Sequence, residues 1–120
     1  PFEVDGMTES KKISVPDEML GKYKGDKSVF FTRVFGDSMN KVFDDGTIIG
    51  VKPIALDKLK NGDIVVFSNN YEYSVKYYYR YGDTLVFKPA SHNPAHDEQV
   101  YTTNDDITIH GKVILHVTLH

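Results

Sequence analysis

The chain has 120 residues, of which 40% are hydrophobic and 26% charged, with a net charge of −3 at neutral pH. That is one globular domain with a core large enough to stand without staples. The acidic balance disfavours a free-standing nucleic-acid binder, and the absence of cysteine excludes thiol catalysis, Cys-type zinc sites and disulfides. No apolar run approaches a membrane span, and no signal-peptide pattern is present.

The polar opening, Pro1–Ser14, is expected to run over the surface. Short helical turns are predicted at Pro16–Leu20, before Gly21, and at Ala55–Leu59, neither long enough to stand without packing. Eight Tyr, seven Phe and no Trp, many beside β-branched neighbours, are strand composition. Strands are predicted near Ser28–Phe35, Thr47–Lys52, Asp63–Ser68, Glu72–Arg80, Thr84–Lys88 and Ile107–Leu119. Turn chemistry separates them: Asp44-Asp45-Gly46, Asn61-Gly62-Asp63, Asn69-Asn70, Tyr81-Gly82-Asp83 and the Asn93-Pro94 stretch. In the last segment Ile107, Ile109, Val113, Leu115, Val117 and Leu119 alternate with Thr108, His110, Lys112, His116 and Thr118. Such alternation predicts one buried and one exposed face, with His110 and His116 on the surface. Gly111 interrupts the apolar row and marks a bulge or bend. Pairing of this strand's end with a second copy of the chain is the alternative to a bent core strand.

Arg33-Val34-Phe35-Gly36-Asp37-Ser38-Met39 leads from a strand into a Gly-Asp-Ser turn. A serine there is reachable as a nucleophile, with backbone N–H groups beside it to face an oxyanion. The same tripeptide is also an ordinary turn in which serine bonds the local backbone. A nucleophilic serine needs a base. None of the five histidines lies in a recognisable acyl-transfer motif. His92 and His96 have helical metal-ligand spacing, but Pro94 between them argues against a helix; they read as loop residues facing solvent. Lysine serves as a base only where burial brings its pKa down. Lys11, Lys12, Lys22, Lys24, Lys27, Lys58 and Lys60 lie in polar or turn contexts. Lys76 lies within Tyr73-Ser74-Val75-Lys76-Tyr77-Tyr78-Tyr79, among bulky residues, with Tyr78 on its face. On this pattern alone, an edge-strand lysine keeping its ammonium in water is the simpler reading.

Taken in order, Gly36-Asp37-Ser38-Met39, Asp45-Gly46, Asn61-Gly62-Asp63-Ile64-Val65-Val66 and Val75-Lys76 resemble the LexA-like self-cleaving serine peptidases. These include lambda-type phage repressors, LexA and UmuD. Leu85-Val86-Phe87-Lys88-Pro89, Asn93-Pro94 and Ile109-His110-Gly111-Lys112-Val113-Ile114 resemble the family's later strand, Asn loop and closing strand. The likeness runs from Val29 to about Val117.

The resemblance implies a mostly β fold: compact, strongly bent sheets of the LexA/signal-peptidase-like C-terminal domain, with few short helical turns. It implies one domain, in which an N-terminal segment, 1–28, follows the cleavage region and 29–120 forms the peptidase and dimerisation unit. Ser38 would be the nucleophile, Lys76 the general base, and the Asp37 and Ser38 N–H groups the oxyanion donors. Ile114, His116, Val117 and Thr118 are the candidate dimer interface. No cofactor or metal is implied.

The implied setting is the cytoplasm of a bacterial host, as part of a phage or bacterial repressor cleaved on SOS-type induction after DNA damage. A RecA filament would be the activator, a homodimer or higher oligomer the assembly, and an anti-repressor a possible further partner. DNA would be bound only through a domain outside this chain. Family members cleave an Ala-Gly bond well upstream of the serine; no Ala-Gly pair occurs here, so the scissile bond is expected at or before Pro1. Tyr77-Tyr78-Tyr79-Arg80 departs from the family's pattern after the lysine and leaves the pocket's substrate fit open. Two other readings share the core: a dimerisation-only repressor module with an unused dyad, and a UmuD-like accessory subunit of a translesion polymerase.

Overall fold

A computed structural model describes residues 17–117. The expected segment 1–28 therefore lies largely outside the described residues, as does Thr118. Seven strands form one antiparallel sheet: β1 (Phe30–Arg33), β2 (Ile48–Lys52), β3 (Ile64–Asn69), β4 (Glu72–Tyr81), β5 (Thr84–Lys88), β6 (Gln99–Thr102) and β7 (Ile107–Val117). Their spatial order is β1-β2-β7-β3-β4-β5-β6. Single 3-10 turns occur at Asp17–Met19, Gly21–Tyr23 and Leu56–Lys58. Among the described residues no helix is long and apolar enough to cross a membrane. The mostly β fold with few helical turns is as the sequence predicts, while β6 was not anticipated.

Val65, Val66 and Phe67 are consecutive and all buried, which requires apolar cover on both faces of β3, since successive side chains point opposite ways. One cluster gathers Val34, Met39, Phe43, Ile49, Val51, Val66 and Val75. The other gathers Val65, Phe67, Tyr78, Leu85 and Phe87, with the Phe67 and Phe87 rings stacked 3.8 Å apart between centroids.

The β3–β4 hairpin turns through Asn70 and Tyr71, both at positive φ (51° and 66°). Two consecutive left-handed residues suit a tight hairpin, and asparagine tolerates this conformation, but a bulky side chain does not. Tyr71 is 97% exposed, so its ring recovers little by packing. Tyr71→Gly is expected to raise stability by about 0.5–1 kcal/mol, a few degrees in Tm on thermal unfolding.

β7 is where the sequence pattern and the structure part. Its first half pairs with β3 (Ile107 opposite Asn69 through Lys112 opposite Val65). Its second half pairs with β2 (Lys112 opposite Lys52 through Val117 opposite Ile48). The register shifts once on each side, leaving His110 without an opposite residue on β3 and Ile114 without one on β2. An extra residue bends a strand and advances its alternation by one. The odd/even rule consequently fails in mid-strand: Thr108 and His116 are exposed as expected, whereas His110, Lys112 and Ile114 are not. Gly111 lies at the crossover. A Cβ built on it would stand 2.6 Å from the Lys52 carbonyl oxygen and 2.7 Å from Val51 Cγ1, so the bend expected there depends on a bare backbone.

The segment leading into β1 is fastened to β2. Lys52 Nζ donates to the Asp26 carboxylate at 2.6 Å and to Ser28 Oγ at 2.6 Å. The Lys52 hydrogen bond, with those from Ser28, brings the Asp26 pKa down to about 2.

Candidate active site

The connection from β1 to β2 is a loop held from inside. Val34, Met39 and Phe43 are buried in the first cluster, and the Met39 carbonyl accepts from the N–H groups of Val42 and Phe43 at 2.9 and 2.7 Å. Gly36 at φ +93° supplies the left-handed backbone that turns the chain before Asp37. The Asp45 carboxylate accepts from the Gly36 N–H at 2.9 Å. Ser38, next to the buried Met39, is thereby held half-buried at the loop's rim.

Lys76 is on β4, between β3 and β5 in the sheet, and its residue is only 6% exposed. The edge-strand reading of this lysine is thus corrected: both neighbouring edges are taken by strands. Lys76 stands opposite Val65 on β3, so the two share a face. Its Nζ lies 2.9 Å from Ser38 Oγ, across 38 residues of sequence. Lys112 flanks Val65 from the β7 side, but its ammonium pairs with Asp63 at 3.3 Å.

Of the two expected oxyanion donors, the Ser38 N–H has no hydrogen bond among the described residues. The Asp37 side chain accepts from His96 at 2.6 Å and from the Asn93 amide at 3.3 Å. The His96 bond first, then that of Asn93, keep this carboxyl below the usual carboxylate range.

The segment after β5 closes the site's other flank. The Ala90 N–H donates to the Ser38 carbonyl and the Lys41 N–H to the Ala90 carbonyl, both at 2.9 Å. The His92 N–H donates to Asn40 Oδ1 at 2.9 Å. His96, expected to face solvent, instead bridges two loops; a contact between positions 59 apart leaves no periodic trace in the sequence.

The expected interface residues are placed as follows. Ile114 is the unpaired, half-buried residue of the β2-side bulge. His116 is exposed, with its ring edge-on to Phe43 at 5.2 Å between centroids. Val117 pairs with Ile48. β7 beyond Lys112 pairs with β2 alone, leaving its other edge without a strand partner among the described residues.

His110 is the clearest correction on the polar face. It shares a 2.8 Å hydrogen bond with Ser68 Oγ and lies against the Tyr73 ring, 4.8 Å between centroids. Burial lowers its pKa from the ordinary 6.5. The unfolded chain therefore takes up the proton first as pH falls, and stability that is full above about pH 6.5 declines below it. His110→Gln, which keeps a hydrogen-bonding group but does not titrate, is expected to flatten that decline in urea melts between pH 7 and 5.

Among the described residues no group of three His, Cys, Asp or Glu side chains is placed to hold a metal ion. The chemistry the site offers is the Ser38 hydroxyl on the β1–β2 loop, the buried Lys76 Nζ from mid-β4, and the Ser38 N–H, which has no hydrogen bond among the described residues. Comparisons with known proteins place the chain in a family. The chain is 36% identical over 86 residues to the LexA repressor of Desulfatibacillum aliphaticivorans, covering 71% of this chain and 40% of that protein. It is 41% identical over 68 residues to the LexA repressor of Moorella thermoacetica (strain ATCC 39073 / JCM 9320), covering 56% of this chain and 32% of that protein. The chain thus spans less than half the length of either relative. The Peptidase S24-like family model matches residues 2–114, nearly the whole sequence, and the chain belongs to that family.

Proposed function

We propose that this chain is the C-terminal self-cleavage and dimerisation domain of a phage or bacterial transcriptional repressor, hydrolysing a peptide bond upstream of itself. The observation that carries the reading is the 2.9 Å contact between Ser38 Oγ and the buried Lys76 Nζ. In the proposed reaction the Ser38 hydroxyl attacks the scissile carbonyl carbon as its proton passes to the neutral Lys76 amine. The Ser38 N–H stabilises the developing oxyanion. The Lys76 ammonium returns the proton to the leaving amine, and water activated by the same amine hydrolyses the acyl-serine. An intramolecular bond needs no substrate affinity, because the fold itself provides the effective concentration.

The remaining features belong to the same proposal. The repressor acts in the cytoplasm of a bacterial cell and is triggered by a RecA filament after DNA damage, ending repression or lysogeny. It binds DNA through a domain outside this chain. It forms a homodimer through the second half of β7, around Ile114, His116 and Val117, with an anti-repressor as a possible further ligand of that surface.

The test is self-cleavage of the chain extended upstream to its natural start, with and without RecA filament, analysed by mass spectrometry. A cut at or before Pro1, absent in Ser38→Ala, is the expected result. An intact chain under all conditions would overturn the peptidase reading and leave a dimerisation module with an unused dyad.

A further inference from the structure

Ser38 is anchored from within by Met39, yet its outer side needs anchoring too. A nucleophile misplaced by about 1 Å loses on the order of a hundredfold in rate. The outer side is occupied by Asp37, whose carboxylate reaches across to His96 and Asn93 on the loop after β5. The two chain segments are also joined through backbone bonds at Ser38, Ala90 and Lys41. Those backbone bonds fix the far side of the Ser38 peptide, and the Asp37 carbonyl accepts from the Asn40 N–H at 3.3 Å within its own turn; the side-chain bridge is what ties Asp37 to the loop after β5. The pair is accessible, with the His96 side chain 34% and the Asp37 side chain 53% exposed. An exposed pair of this kind contributes little to folding stability. Its effect is therefore to be sought in the geometry of the residue beside it.

We propose that His96 is a positioning residue for Ser38: through the Asp37 carboxylate, and together with Asn93, it holds the Asp37–Ser38 peptide so that the hydroxyl stays on Lys76 and the Ser38 N–H faces the reacting centre. The inference rests on the reading of Ser38 as nucleophile and Lys76 as base, and it adds a residue that touches neither substrate nor the reacting atoms. His96 acts here as an N–H donor to a carboxylate, so a neutral donor of similar reach substitutes for it. Glutamine at position 96 meets that requirement and alanine does not.

The experiment uses a fluorophosphonate as probe on the full 120-residue chain, because it reports Ser38 without needing the scissile segment. The Ser38 Oγ–P bond forms, the P–F bond breaks, fluoride leaves and the hydroxyl proton passes to Lys76. Labelling rates are measured for wild type, His96→Ala, His96→Gln, Asp37→Ala and the Asp37→Ala/His96→Ala double variant, with Tm recorded for each.

His96→Ala is expected to slow labelling roughly tenfold, well short of the full cost of a displaced nucleophile, with Tm within a few degrees of wild type. His96→Gln should recover most of the rate. In the Asp37→Ala background, His96→Ala should change nothing further, since its route to Ser38 is already gone. An unchanged rate in His96→Ala, or independent and multiplicative losses in the double variant, overturns the proposal while leaving Ser38 and Lys76 in place. Failure of the wild-type chain to label at Ser38 overturns the nucleophile reading itself, and this inference with it.

Discussion

Lys76→Met in the upstream-extended chain is expected to lower the self-cleavage rate by roughly 10²–10⁴-fold, the usual contribution of a positioned base, and Lys76→Arg should be equally inactive. The two variants bracket the role. Methionine keeps the length and apolar stem of the side chain in its buried slot but has no basic nitrogen. Arginine keeps a nitrogen but stays protonated at any accessible pH. If Lys76 merely held Ser38 by donating a hydrogen bond, arginine would conserve part of the activity; if it takes the proton, arginine conserves none. Exchanging a buried polar group for an apolar one of similar volume is seldom costly, so Tm for Lys76→Met should stay within a few degrees of wild type. Ser38→Ala completes the set with cleavage at background. The wild-type rate should climb with pH as the amine form of Lys76 is populated, flattening once it is fully neutral. A rate independent of pH between about 6 and 10 would remove Lys76 from the role, given that free lysine titrates near 10.4.

Gly111→Ala is expected to destabilise the domain by about 3 kcal/mol, the upper end of overpacking costs, lowering Tm by roughly 10 °C. The added methyl would lie 2.6 Å from the Lys52 carbonyl oxygen and 2.9 Å from its carbon. Backbone cannot rotate aside as a side chain can. Relief requires separating β7 from β2 where β7 changes partners, next to the ladder that carries Val65 and Lys76. Gly50→Ala is the internal control. Its methyl would meet the side chains of Leu115 and Phe31 at 2.9 and 3.0 Å, which have rotamers to move into, and about 1 kcal/mol is expected. Equal losses in the two variants, measured by urea unfolding, would show that the backbone approach at Gly111 is not what limits it.

The family was legible because it is written as an ordered set of short motifs that includes Ser38 and Lys76, and the strands because turn residues punctuate them. Four features were not, each for a physical reason. β6, Gln99–Thr102, is four residues long and lies at the sheet edge with Val100 exposed, so it carries no apolar run to notice. Gly111 marks a bend in β7, but it does not show that the alternation is reset twice, at His110 and at Ile114; the register of a bulge belongs to a pair of strands and cannot be read from either one alone. The position of Lys76 in the interior of the sheet depends likewise on which strands flank β4, and periodicity within β4 is the same at an edge or in the middle. His96 escaped for the opposite reason to Lys76. Its partner Asp37 stood inside the recognised motif, but nothing local in Asn93-Pro94-Ala95-His96 points to a carboxylate so far away in sequence.

β7, the last strand among the described residues, is also the one that joins the strand ladders: β1 and β2 on one side and β3 to β6 on the other are hydrogen-bonded into one sheet only through β7. β1–β2 and β3–β4–β5–β6 can each form from near neighbours as the chain emerges, but neither ladder is complete until β7 arrives. Contacts of such wide sequence separation slow folding, because loop closure must precede their reward. The dyad half, β4 with Lys76, and the loop half, with Ser38 between β1 and β2, belong to different early pieces. During synthesis the single sheet that carries both Ser38 and Lys76 would therefore be completed only when β7 has been made.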